Sequence, residues 1–508
     1  MDFNHIQLVL AIVISMVFFH CLEILFRKLK KFPPFPIPLP LIGNLHLVGK
    51  KPHKSFGDLA KIYGPIMSLK LGQVTTVVIT SPAIAREVLQ KHDLAFSSRY
   101  PPNAVHALDH YKYSVAWIPV GPRFRSLRKI MNTNIFSGNR LDANQHLRLA
   151  KIQELVSYCN RYCETGEALD IGRAVFRTTL NLISNTIFSK DLTDPFSDSD
   201  KDDEFKDLIS NIFAEVGKPN LLDCYPILEI IYPHGIKRRS GVYFEQMFKI
   251  CGAMIDERLE QRKALDGPKF HDMLDILLTS SEENPEDIDR KHIEHLCLDL
   301  FSAATDSTTS TVEWAMAEVL KCPRVMKKIQ EELAQVIGRG KILEEIDIAR
   351  LPYLNCIVKE TFRLHPAAPL LIPRKVEEDV QVCGYVVPKG SKIFVNTWAI
   401  GRDPSVWEDS LLYKPERFLQ CDIDVRGRDY ELIPFGAGRR MCPGLPLANR
   451  MVPMMLGTML NLFEWKLEGG LLVEQLDMEE KDGVILKKAI PLLAVPIPVQ
   501  AWRGDPTL

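Results

Sequence analysis

The chain opens with an apolar run, Ile6 to Phe26, broken by Gln7, Ser15, His20 and Glu23. A bilayer core takes about 20 apolar residues in helical form, so the run is long enough to span one. Arg27, Lys28, Lys30 and Lys31 follow directly, and no lysine or arginine precedes it. The positive-inside bias then places the N-terminus in a lumen and the bulk of the chain in the cytosol. A cleaved signal peptide would carry its basic residues on the other side. The expectation is a single-pass transmembrane signal anchor over 1–26.

Residues 27–44 change character. Prolines alternate in Pro34-Phe35-Pro36-Ile37-Pro38-Leu39-Pro40, which stiffens the backbone, so a basic and proline-rich hinge is expected here. From Ile66 to Thr80 apolar and β-branched residues alternate with polar ones, the period of a small antiparallel sheet. Ser81-Pro82 opens a helix. Amphipathic runs near 142–165, 170–190, 203–217, 243–264 and 291–320 then read as helices. Asp191 to Glu204 is polar and acidic and reads as a solvated loop. Cys224 to Gly235, apolar with prolines and followed by Lys237-Arg238-Arg239, reads as a segment touching a bilayer or as a buried loop beside a basic helix start. No repeat or linker divides the remainder. The fold class is mainly α with a small β-rich part (α+β), in one large domain over 45–508.

The 508 residues, 46% hydrophobic and 25% charged, can bury a large core. A net charge of −1 gives no reason to expect a nucleic-acid partner. The 11 cysteines are scattered singly, without the paired spacing of a zinc site or a disulfide framework, which suits a reducing compartment. One cysteine stands apart, in Phe435-Gly436-Ala437-Gly438-Arg439-Arg440-Met441-Cys442-Pro443-Gly444. A thiolate that ligates iron must be shielded and given hydrogen-bond donors. Gly438 and Gly444 allow turns that aim amide N–H groups at the sulfur, Arg440 supplies a permanent cation, and Phe435 can pack beside it. His292-Ile293-Glu294-His295 with Cys297 hints at a metal, but no further ligand pair is visible, and an exposed helix start is the plainer reading.

The cysteine loop fills every fixed position of Phe-x-x-Gly-x-Arg-x-Cys-x-Gly and resembles the haem-binding loop of the cytochrome P450 family. The resemblance extends from Pro33 to the C-terminus and implies that fold, with Cys442 as the thiolate on the iron of haem b. It implies that Arg440, Arg374, Arg128 and Arg125 serve the haem propionates, with Phe435 beside the porphyrin. Phe124 stands where the family has a tryptophan whose N–H donates to a propionate, and phenylalanine has no donor. Glu360, Arg363 and Arg417 match a buried structural network that braces the loop. The segment Phe301-Ser302-Ala303-Ala304-Thr305-Asp306-Ser307-Thr308 matches the oxygen-activating part of a long helix, with Asp306 and Ser307 passing protons. Ala304 replaces a glycine and Ser307 a threonine, which implies poorer coupling of NADPH use to product.

By position, Phe301, Ala303, Ala304, Ala368, Leu371 and Ile485, with the loop from Tyr100 to Pro119, would line an apolar substrate pocket. The resemblance is strongest to plant microsomal members that hydroxylate an allylic methyl of an acyclic monoterpene alcohol. It implies an endoplasmic reticulum monooxygenase fed by NADPH through a separate cytochrome P450 reductase, acting on a small apolar substrate. Hydroxylation of a larger prenylated phenolic or other terpenoid is the alternative. A haem protein with lost or altered oxygenase activity is a second, motivated by Phe124, Ala304 and Ser307.

Overall fold

The structure is a computed structural model that describes residues 3–194, 200–218, 220–230, 235–263, 272–481 and 483–499. The helices used below are α1 (Phe3–Leu29), α2 (Pro52–Tyr63), α3 (Pro122–Asn134), α4 (Gln145–Thr165), α5 (Ile171–Phe188), α6 (Asp200–Gly217), α7 (Gly235–Lys263), α8 (Met273–Glu283), α9 (Arg290–Lys321), α10 (Pro323–Val336), α11 (Pro352–Leu364) and α12 (Leu445–Leu462). The five amphipathic runs all fold as helices. The largest difference is at α7, which starts earlier because 235–242 continues the same face through the buried Ile236, Ser240 and Gly241.

Among the described residues, ten short strands make up the β part: β1 (Ile66–Leu71), β2 (Val74–Ile79), β3 (Ser98–Arg99), β4 (Leu169–Asp170), β5 (Arg374–Lys375), β6 (Val380–Val382), β7 (Tyr385–Val387), β8 (Lys392–Val395), β9 (Phe463–Leu467) and β10 (Leu493–Pro498). The main sheet has the order β1-β2-β8-β5-β3. The expected β1–β2 hairpin pairs Ile66 with Ile79 through Leu71 with Val74. The crossover is the pairing of β2 with β8, parallel and some 300 residues apart in sequence, which no local pattern announces. It carries β5 into antiparallel contact with β3, setting Arg374 opposite Arg99.

The core is built around α9. Its start is fixed by Asp289, whose side chain accepts from the His292 amide at 3.0 Å while its own amide donates to His292 Nδ1 at 3.3 Å. Most of α9 is then buried, up to the fully enclosed Trp314. It packs against α5, α7, α11 and α12, so this one helix faces both large apolar clusters of the core.

Some expectations are corrected. Among the described residues no helix is long and apolar enough to cross a membrane. The apolar run does form α1, although its side chains at 6, 8–13 and 16 lie outside the described residues. The last turns of α1 are not free: Glu23 pairs with Lys70 on β1, and Arg27 is 2% exposed and donates to Thr75 on β2 at 3.4 Å. Arg27 is thus part of the folded domain rather than of a basic flank. In the acidic stretch, 195–199 falls outside the described residues, and Asp191 is not merely solvated but accepts from the buried Lys151 at 2.7 Å. In the apolar stretch after Cys224, 231–234 falls outside; the rest lies against the β1–β2 turn through Gln73 N–H to Cys224 O at 2.7 Å.

Gly401 sits where a side chain has no room: a Cβ there would lie 2.2 Å from the Arg363 carbonyl oxygen. Gly401→Ala is therefore expected to cost about 1–3 kcal/mol in urea unfolding, because the obstacle is backbone on α11 and cannot swing aside.

Candidate active site

The cysteine loop is a tight fold-back. The Cys442 amide donates to Phe435 O at 2.9 Å, and the Met441 amide to Gly438 O at 3.0 Å. Gly438 has φ +69°, and a Cβ there would meet Leu89 O at 2.3 Å, so only glycine fits. Phe435 is held edge-on to Phe362 of α11 at 5.1 Å. Amides of Gly444 and Leu445 point at the Cys442 sulfur, and α12 begins there with its positive end toward it. Burial pushes this thiol up; the Gly444 amide, Arg128 and the Leu445 amide pull the other way without cancelling it. The side chain is nonetheless reached by solvent. A sulfur set deep in protein on the wall of an internal opening meets both conditions.

Four guanidinium groups converge beside the loop. Arg440 donates from Nε to Ser97 O at 2.8 Å and from Nη1 to Val115 O at 3.2 Å, and it also reaches Ile118 O. Arg374 donates to Ala437 O at 3.0 Å, and Arg128 to Met441 O at 2.9 Å. Arg99, absent from the expected set, donates to Ile372 O at 2.6 Å, while its buried Nε has no partner among the described residues. Among the described residues, the carboxylate paired with the cluster is Asp93, 3.7 Å from Arg374, and it also serves Arg439 at 2.8 Å. Burial, reinforced by Arg374 and Arg128, draws Arg440 down to about 10. Arg99 is drawn well down by burial and by Arg374, Arg440 and Arg128. Enclosed positive charge with one shared carboxylate and an orphaned donor is the chemistry of an anion site, and it fits a group bearing carboxylates.

Phe124 takes part without a donor. The Arg440 guanidinium lies 4.2 Å from its ring centre, a contact of roughly 0.5–2 kcal/mol that offsets part of the missing hydrogen bond. Arg125 does not join the cluster. It is exposed, because Phe124 and Arg128, four residues apart, share the inner face of α3 and position 125 falls about 100° away.

Behind the loop, Glu360 and Arg363 are 0% exposed and bound bidentately at 2.7 and 2.8 Å. Arg417 Nε lies 3.1 Å from both Glu360 oxygens, and the Lys414 amide donates to the same carboxylate at 2.7 Å. The remaining Arg363 donors go to Ser410 O at 2.6 Å, Leu412 O at 3.0 Å and Gly401 O.

On α9, Ala303 is exposed and Ala304 and Ser307 half-buried within an otherwise buried stretch, so these residues face an opening. Ser307 Oγ donates to Ala303 O at 2.7 Å. Phe301 is 0% exposed and sits between Phe188 and Phe205, with ring centres 6.0 and 5.9 Å away; it is core rather than wall. Asp306 is 2% exposed and pairs with Lys487 at 2.6 Å, a partner the sequence reading missed. The Leu486 carbonyl accepts from Ser310 at 2.5 Å and from Trp314 at 2.7 Å, and the Leu486 amide donates to Ala367 O at 2.9 Å. These bonds bring Ile485, the 367–371 segment and α9 together. Leu371 in turn lies 3.6 Å from where a Cβ on Gly436 would stand, beside the cysteine loop.

The order of these parts is that of a haem-thiolate enzyme, and the cytochrome P450 family pattern matches residues 33–493. The chain belongs to the cytochrome P450 family and is a monooxygenase. It is 61% identical to geraniol 8-hydroxylase of Catharanthus roseus over 97% of this chain and 99% of that protein. It is 60% identical to geraniol 8-hydroxylase of Swertia mussotii, over 98% of this chain and 100% of the relative. Geranylhydroquinone 3''-hydroxylase of Arnebia euchroma is 52% identical over 98% and 99%.

Two outcomes follow from the buried charges. Glu360→Ala leaves two guanidinium groups facing each other without their carboxylate and should cost about 3–5 kcal/mol in chemical unfolding. Lys487→Met should destabilise the protein by about 1–3 kcal/mol, and adding Asp306→Asn should restore most of that in a double-mutant cycle, since the pair is then gone as a unit.

Proposed function

We propose that this protein hydroxylates geraniol or a related monoterpenol at an allylic position, using NADPH and dioxygen. The observation that carries the reading is identity of 60% or more, over nearly the whole chain, to geraniol 8-hydroxylases of two different plants. Haem b is the cofactor, with Cys442 as its thiolate ligand and Arg440, Arg374, Arg128 and Arg99 on its carboxylates. When bound, the haem would supply dioxygen activation, one oxygen atom entering a C–H bond and the other leaving as water with two electrons and two protons. Asp306 and Ser307 would hold protons and pass them toward the opening beside Ala303 and Ala304; Ser307 must first turn its hydroxyl from the Ala303 carbonyl. Ala303, Ala304, Ala368, Leu371 and Ile485 shape the apolar wall that orients the substrate and keeps water out.

Electrons come from NADPH through cytochrome P450 reductase on the cytosolic face of the endoplasmic reticulum. In this reading α1 attaches the enzyme to that membrane surface, and the folded chain that begins at the docked end of α1 is the catalytic domain. Exposed Val17, Phe18, Phe19, Leu22, Leu25 and Phe26 on α1 support attachment. So do exposed Leu41 and Ile227 in two neighbouring segments, joined by Tyr225 OH to Leu41 O at 3.2 Å.

A second reading, hydroxylation of a larger prenylated phenol, is favoured by the geranylhydroquinone hydroxylase among the relatives. Membranes containing the protein and reductase, given NADPH and geraniol, should yield 8-hydroxygeraniol. NADPH consumption without that product, together with turnover of geranylhydroquinone, would favour the second reading.

A further inference from the structure

His292 and His295, the pair that hinted at metal, do not form an exposed helix start. They are 3% and 4% exposed, and no metal-binding group of three or more ligands occurs among the described residues. His295 faces His110, which lies on the short helix His110–Tyr113 within the loop expected to line the substrate pocket. Their Nδ1 atoms are 2.8 Å apart. Two imidazoles at that distance must share one proton: one Nδ1 carries it and the other accepts. Asp299 selects which, because its Oδ1 lies 3.3 Å from His110 Nε2 and favours a proton there. His110 then presents a bare Nδ1, and His295 donates from its own.

The same carboxylate holds the segment that follows. Asp299 accepts from Ser114 Oγ at 2.7 Å and from the Val115 amide at 2.9 Å. Val115 and Ile118 offer their carbonyls to Arg440, the central guanidinium of the anion site. A continuous chain of bonds therefore runs from α9 through the histidine pair and residues 110–118 to Arg440.

We propose that His110 and His295 are positioning residues, a proton-sharing latch that fixes residues 110–118 on α9 and thereby sets Arg440, and that a second proton opens it. The surroundings disfavour that proton. From its own helix His295 faces His292, Lys291 and Asp289; from the short helix it faces His110 and Tyr113; α7 contributes the rings of Phe248 on His295 and Phe244 on His110. Burial first, then His110, His292 and Lys291, push His295 from 6.5 down to about 3, against Asp289. A histidine whose closed-state value is depressed stabilises the closed state fully above its released value and progressively less as pH falls toward the closed one. Release should therefore become about tenfold more favourable between pH 7.5 and pH 5.5. The latch holds whichever substrate the pocket takes.

The test is hydrogen exchange on the holoenzyme at pH 7.5 and 5.5, corrected for the intrinsic chemical rate. Peptides over 110–118 should open about tenfold more at the lower pH, while peptides from the C-terminal half of α9 stay unchanged. His295→Phe keeps the ring stack on Tyr113 and removes the shared proton. It should show fast exchange over 110–118 at both pH values and faster haem transfer to a scavenging protein. Should that variant not fold, nitrogen-15 spectra of wild-type histidines serve instead: His110 protonated on Nε2 and His295 on Nδ1 support the latch. Equal corrected protection at both pH values, pH-dependent opening that persists in His295→Phe, or both rings fully protonated at neutral pH would overturn it.

Discussion

Four guanidinium groups in one enclosed place are a standing electrostatic cost, and much of the architecture can be understood as the means of holding them there. Each arrives on a different element: Arg99 on β3, Arg374 on β5, Arg128 on α3 and Arg440 on the cysteine loop. Their donors are turned into backbone carbonyls, which offer partial charge without neutralising them. Such a cluster is stable only with anionic charge brought into it, which ties the fold's integrity to its prosthetic group. The Glu360–Arg363–Arg417 network solves the opposite problem: its two guanidinium groups share a carboxylate of their own and end on backbone carbonyls, so it can brace the loop from behind with no help from a ligand.

The parts of this arrangement that were legible in the sequence are those written in local spacing. The glycines and Cys442 of the loop, the i,i+3 pair of Glu360 and Arg363, and the helical periods of α4 to α7 and of α9 are all short-range signals. What escaped depends on long-range pairing. Arg99 joins the cluster because β3 pairs with β5 in a sheet closed by a parallel crossover. Lys487 meets Asp306 because the Leu486 carbonyl is clamped by Ser310 and Trp314. Arg125 was misplaced for a simpler reason, since one step along a helix turns a side chain away from its neighbour's face. Phe124 looked like a loss because a missing donor is visible in sequence, whereas a ring lying under a guanidinium is not.

α9 joins these pieces mechanically. It carries the residues that face the opening, the acid that pairs with the C-terminal loop, the indole and hydroxyl that fix Leu486, and the histidine bound to the 110–118 segment. Its neighbours are therefore registered to one rigid element, and a change at either end of α9 reaches the pocket wall through hydrogen bonds rather than through loose packing.

The docking of α1 bears on how the enzyme is handled. Arg27 is buried, its guanidinium within 5.8 Å of the Phe32 ring centre and 5.6 Å of that of Phe35, and Glu23 bonds to both Arg27 and Lys70. Removing the whole helix would strip a cation from two aromatic faces and leave Lys70 without its carboxylate. A cut placed before Glu23 would shed most of the greasy surface and keep the fastening intact.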